Sequence, residues 1–101
     1  MAIAYIQEFT IVDDDRTTAG YDAVAARLGD ATIPGLIVHT AGFDEDAGVF
    51  RIFDVWESRD DAVRFQEQTL DPILGEVLGA LPDPPAPPSR DGFYELHDVL
   101  P

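Results

Sequence analysis

The 101-residue chain has no cysteine, no asparagine and no lysine. Without cysteine, disulfide scaffolds, zinc ribbons, thiol nucleophiles and iron–sulfur clusters are excluded. Without lysine, all six basic residues are arginine; they face 20 acids, and the formal net charge is −14. A field of that sign repels phosphate backbones and anionic headgroups, which argues against nucleic-acid and membrane-surface roles. No apolar run approaches the roughly 20 residues of a membrane span. The start, MAIAYIQEF, has no basic region and carries Glu8, unlike a secretory leader. A cytoplasmic protein is therefore expected, with residues 1–101 forming a single domain. A fold of this size buries only about two thirds of its unfolded surface, so a useful cavity is expected to be shared with a partner subunit.

Several motifs are also missing. There is no P-loop, no Gly-x-Gly-x-x-Gly, no His-x-x-x-His and no Gly-x-Ser-x-Gly elbow. The acidic runs Asp13-Asp14-Asp15 and Asp44-Glu45-Asp46 resemble calcium ligands, but counting from Asp13 puts Thr18 at the sixth position and Val24 at the twelfth, where an EF-hand needs Gly and Glu. They read as solvated turns. Neither a metal nor a cofactor is expected.

What is present is a regular succession of elements. Ile3–Val12 is rich in β-branched and aromatic residues and reads as a strand. Thr17 or Thr18 can cap a helix running through Tyr21, Val24, Ala25 and Leu28, with Gly29 as its stop. After the Pro34-Gly35 turn, Leu36–Phe43 and Val49–Glu57 read as two strands of a hairpin joined by Asp44–Gly48. Ser58-Arg59-Asp60-Asp61 is a capping-box variant that opens a second helix with Ala62, Phe65 and Thr69 on its apolar stripe and Leu70 beside it. Pro72 begins a continuation over Ile73–Leu81. Residues 82–88 hold five prolines and read as an extended strap, and Phe93–Leu100 as the last strand.

The order βαββαβ predicts an α+β, ferredoxin-like fold: a four-stranded antiparallel sheet with both helices on one face. Yet Leu36, Val38 and Thr40 alternate with Ile37, His39, Ala41 and Phe43, so both faces carry apolar groups. The face without helices needs a cover, and a second copy closing a barrel-like homodimer supplies one.

The stretch Gly35–Phe43 and the run Phe53-Asp54-Val55-Trp56-Glu57-Ser58 resemble the dimeric α/β-barrel superfamily, in particular the antibiotic biosynthesis monooxygenase-like family. The resemblance extends through the element order over most of the chain. It implies a dimeric α/β barrel and, as one of several family activities, cofactor-free oxidation of aromatic substrates. Two departures stand out. Many such members carry a histidine nine residues after the tryptophan, where this chain has Phe65. The haem-degrading branch uses an asparagine on the first strand, where this chain offers Gln7.

Only two histidines are present, His39 and His97, both in strand-like surroundings. Imidazole titrates near pH 6.5 and suits proton removal from a phenol or an activated carbonyl. If Asp44 pairs with Val49, His39 faces Asp54 and Ile37 faces Trp56; a slip of one residue puts His39 and Asp54 on opposite faces, and the loop length allows both. Either histidine can equally be a hydrogen-bonded structural residue. Trp56 can stack on a flat ligand or simply pack, and Tyr5, Gln7 and Phe9 share one face of the first strand. Arg51, inside a strand, needs a carboxylate or an anionic substrate, most simply a neighbouring acid on the solvent side.

The resulting expectation is a cofactor-independent monooxygenase-like enzyme acting on a flat aromatic or polyketide-like molecule. The catalytic candidates are His39, Asp54 and His97; Trp56, Tyr5, Gln7 and Phe65 line the substrate. The rivals are a non-catalytic ligand-binding or structural dimer and a cofactor-free cyclase or isomerase.

Overall fold

The computed structural model describes residues 2–81 and 86–100. β-Branched and aromatic residues put Ile3–Thr10 in an extended strand, β1, which occupies an inner position in the sheet. It is followed by helix α1 (Ala19–Leu28), the hairpin of β2 (Leu36–Asp44) and β3 (Val49–Trp56), helix α2 (Arg59–Phe65), helix α3 (Asp71–Gly79) and strand β4 (Arg90–Glu95). The sheet has four strands in the order β2-β3-β1-β4, and every neighbouring pair is antiparallel. This is the ferredoxin-like arrangement that the element order predicts.

The hairpin register decides which side chains meet. Asp44 pairs with Val49 and His39 with Asp54. Between Leu36 and Val38 the ladder shifts, so that Leu36, not Ile37, lies opposite Trp56. Ile37 is the extra residue of a β-bulge, which resets the alternation. The expected grouping of Leu36 with Val38 and Thr40 is thereby corrected: Leu36 packs against the cluster of Tyr5, Trp56 and Ala62, on the same side as His39.

That side carries the helices. Tyr5, Trp56 and Ala62 form the core, with Ile33, Leu36, Phe65 and Phe93 packed around it. Ser58 caps α2, its Oγ accepting from the Asp61 N–H (3.2 Å) and donating to the Asp61 carboxylate (2.9 Å). Gly35 makes this fit possible. It holds φ +84°, and a Cβ there would lie 2.5 Å from the Asp61 side chain. The cap expected on α1 is different: Thr18 precedes the helix without a side-chain cap, and its hydroxyl donates to Asp22 (2.8 Å).

α2 and α3 are joined by a π-helical turn, Gln66–Leu70, in which the Asp71 N–H reaches back five residues to the Gln66 carbonyl. Pro72 accounts for the irregularity, because it has no N–H for the preceding turn and its ring crowds the carbonyl four residues back. Of the proline strap, residues 82–85 lie outside the described residues. Downstream, Ser89 donates its N–H and its hydroxyl to the Glu8 carbonyl (2.7 and 3.0 Å), which lays β4 beside β1. β4 lies earlier than expected, at Arg90–Glu95 rather than Phe93–Leu100. Its pairing with β1 ends at the Ile3–Glu95 rung, beyond which the Leu96 N–H donates to the Ala2 carbonyl.

On the helix-free face Ala4, Ile6 and Val55 are buried, whereas Val38 and Tyr94 remain 43% and 44% exposed. Arg51 lies on this face and is held by Glu8 (2.6 Å) and Asp44 (2.7 Å), the acidic pairing expected of it.

Gly35→Ala is expected to destabilise the protein by about 1–3 kcal/mol in urea unfolding, since it combines left-handed backbone with a clash. Gly42→Ala, where nothing lies within 4 Å of the added carbon, should change stability by less than about 0.5 kcal/mol.

Candidate functional site

Three polar side chains from three elements converge near the open edge of the sheet. Asp54, on inner strand β3, is the only charged residue among the buried ones described. A buried carboxylate needs partners, and His39 supplies one: its Nδ1 lies 2.5 Å from Asp54 Oδ1. On the other side of the ring, His39 Nε2 lies 2.7 Å from the hydroxyl of Tyr21, from α1. The Tyr21 and His39 rings are nearly parallel (6° between planes, 6.2 Å between centroids), and Phe50 meets the Tyr21 ring edge-on at 5.6 Å.

The chemistry of the three groups fixes the direction of the bonds. A carboxylate only accepts, so His39 donates Nδ1–H to Asp54, and a neutral imidazole then presents Nε2 as an acceptor to the Tyr21 O–H. Asp54 raises the His39 pKa above 6.5, because the imidazolium gains from the carboxylate more than it loses by partial burial. Burial, together with the negative charges of Asp54 and Asp22, raises the Tyr21 pKa, so the phenol stays protonated at neutral pH.

Beside this chain of bonds lies an open groove of about 380 Å³. Thr18, Tyr21 and Asp22 form one bank; His39, Phe43 and Phe50 are on the sheet side. Ala41 and Gly42 also line it. The arrangement can hold a flat ring among aromatic side chains and move a proton at its edge.

The remaining expected residues fall elsewhere. Trp56 faces the helices, as Asp54 does, but it is 2% exposed, packs at 5.5 Å against Phe65 and is not a wall of the groove. Among the described residues its buried indole N–H has no hydrogen-bond partner. Tyr5 is buried against Phe93 at 4.7 Å; burial and the neighbouring Asp91 push its phenol pKa well up. Gln7 is half-buried on the same face of β1, opposite Ile52 and Asp91. His97 sits exposed in a bend beyond β4, outside any strand.

The placement of His39 and Trp56 corrects the expected location of the site. Both lie between sheet and helices of one chain, not in a chamber between two sheets, and they do not share the groove. Tyr21 is not among the expected site residues; its pattern reads as part of the apolar stripe of α1. The available signal is a phenol on the inward face of a helix, which usually finds a polar partner.

Comparison with known proteins agrees with this architecture. No protein-family model and no curated protein matches the sequence. Among solved structures, the chain resembles Rv0793 from Mycobacterium tuberculosis (17% identity, TM-score 0.69, 98% of each chain covered). It also resembles SnoaB, a cofactor-independent oxygenase from Streptomyces nogalater (21% identity, TM-score 0.64, 99% of this chain and 97% of that one). A third is the ActVA-Orf6 monooxygenase of Streptomyces coelicolor, solved with the ligand nanaomycin D (22%, TM-score 0.61, 99% and 91%). The fold is therefore that of the antibiotic biosynthesis monooxygenase-like proteins.

Asp54→Asn is expected to bring the His39 pKa back down toward 6.5, read from the imidazole proton shifts in an NMR pH titration. Folded wild-type His39 binds its proton more tightly than it does in the unfolded chain. Its contribution to stability is thus fully present below about pH 6.5 and fades as the pH rises through the raised value. The stability gap between wild type and D54N should narrow accordingly on going to alkaline pH.

Proposed function

We propose that the protein is a cofactor-independent monooxygenase-like enzyme acting on a flat aromatic or polyketide-like molecule with an acidic hydroxyl. The observation that carries this reading is the Asp54–His39–Tyr21 chain of bonds opening on a groove with aromatic walls. The fold shared with SnoaB and ActVA-Orf6 supports it. In outline, the imidazole, oriented by Asp54, serves as the base that ionises the ligand hydroxyl. The anion is electron-rich enough to reduce O2. At an anthrone-type CH2, conversion to C=O places one oxygen atom in the product and the other in water, with all four electrons supplied by the substrate.

Trp56 has a place in this reading as an inner contact. A buried N–H without a partner costs roughly 1–3 kcal/mol, and a polycyclic ligand reaching from the groove toward α2 would satisfy it with a carbonyl. Phe65, Tyr5 and Gln7 would border that inner end. A homodimer completes the picture: a second copy laid on the helix-free face would cover Val38 and Tyr94, and the chain would act as a dimeric α/β barrel in the cytoplasm.

Oxygen-electrode assays with anthrones and hydroquinones are expected to show protein-dependent O2 consumption, and His39→Ala to lower it roughly 10²–10⁴-fold. Saturable ligand binding with no O2 consumption would favour the non-catalytic reading, and ring closure of the ligand a cyclase. In sedimentation velocity the protein is expected at twice 11.0 kDa, with Val38→Asp shifting it toward the monomer.

A further inference from the structure

We propose that Tyr21 is the acid–base residue that meets the ligand, relaying a proton between a phenolic or enolic hydroxyl in the groove and His39 Nε2. The inference rests on the ligand class proposed above but assigns the contact to a different residue.

Occupancy is the first argument. With Asp54 holding Nδ1–H, His39 has a single free lone pair, on Nε2, and the Tyr21 hydroxyl sits on it at 2.7 Å. A ligand beside His39 thus meets the phenol before it meets the imidazole. Tyr21 is also fixed in position by its parallel stack on His39 and its edge contact with Phe50, so it reaches Nε2 without reordering.

The second argument is charge. Asp22 stands on the groove bank, Asp54 lies behind His39, and the chain as a whole carries −14. A ligand anion is disfavoured on approach, so the hydroxyl compound enters neutral and must lose its proton inside. The relay does this without creating a tyrosinate. As the ligand hydroxyl gives its proton to Tyr21 Oη, Tyr21 gives its own to Nε2. The O–H bond of the ligand and that of Tyr21 break; a new O–H on Tyr21 and an N–H on His39 form. The products are a ligand anion, a neutral tyrosine and an imidazolium paired with Asp54. The same geometry runs in reverse, because the imidazolium then donates Nε2–H to Tyr21 and turns the phenolic O–H toward the groove.

The test uses 4-nitrophenol, whose phenolate absorbs in the visible and whose ring suits the groove. Bound to wild type, the probe is expected to show a larger phenolate fraction than the free probe at the same pH, with the His39 NMR shifts moving to those of imidazolium. Tyr21→Phe keeps the ring stack and should bind the probe within about threefold of wild type while losing most of the extra phenolate; His39→Gln should lose it too. Wild-type ionisation in Y21F would overturn the relay, as would absence of binding or of ionisation in wild type. Oxygen consumption separates the two proposals. Ionisation through Tyr21 without O2 consumption sinks the oxygenase reading alone. O2 consumption with ionisation unchanged in Y21F sinks the relay alone.

Discussion

The site depends on the pairing of Asp44 with Val49 in the hairpin. From that rung, the two-residue period of the strands carries His39 to Asp54 on the face that the helices cover. A slip of one residue would turn the imidazole to the other face and leave Asp54 buried without its partner, at a cost of several kcal/mol for an uncompensated charge. The pair and the register therefore support one another: the turn offers two pairings, and the buried carboxylate favours the one that gives it a hydrogen-bond donor.

The bulge at Ile37 meets a second demand on the same strand. Leu36 and His39 are three residues apart, and in a regular strand they would point to opposite faces. The extra residue lets Leu36 close the core around Trp56 while His39 still reaches Asp54. Gly35, just before it, lets the Asp61 side chain approach the backbone at the mouth of α2. The segment Gly35–His39 thus joins packing to chemistry. Core and groove are adjacent but separate: Trp56 belongs to the first, Tyr21 and Phe43 to the second.

Much of this is legible in the residues themselves. The element order, the Ser58 cap and the candidacy of His39 with Asp54 follow from turn chemistry, apolar periodicity and the scarcity of histidine. The bulge does not, because Leu36-Ile37-Val38 is apolar throughout and has no period to interrupt. Nor does the face on which the site lies: a sheet apolar on both sides does not declare which side bears the helices, and Trp56 satisfies either reading. The position of β4 is hidden for a comparable reason. Phe93–Leu100 reads as a strand from its aromatic and β-branched residues, but pairing with β1 ends at Glu95. Tyr21 escapes notice because an amphipathic helix explains it completely until its hydroxyl is placed.

The central claim is that Asp54 fixes His39 with its proton on Nδ1 and leaves Nε2 as the acceptor. Long-range ¹H–¹⁵N correlation NMR of the imidazole, recorded above the His39 pKa, tests it most directly. The predicted spectrum shows a protonated Nδ1 and a bare, hydrogen-bonded Nε2. A spectrum with the proton on Nε2, or with rapid averaging of the two nitrogens as in a solvent-exposed histidine, would contradict the account.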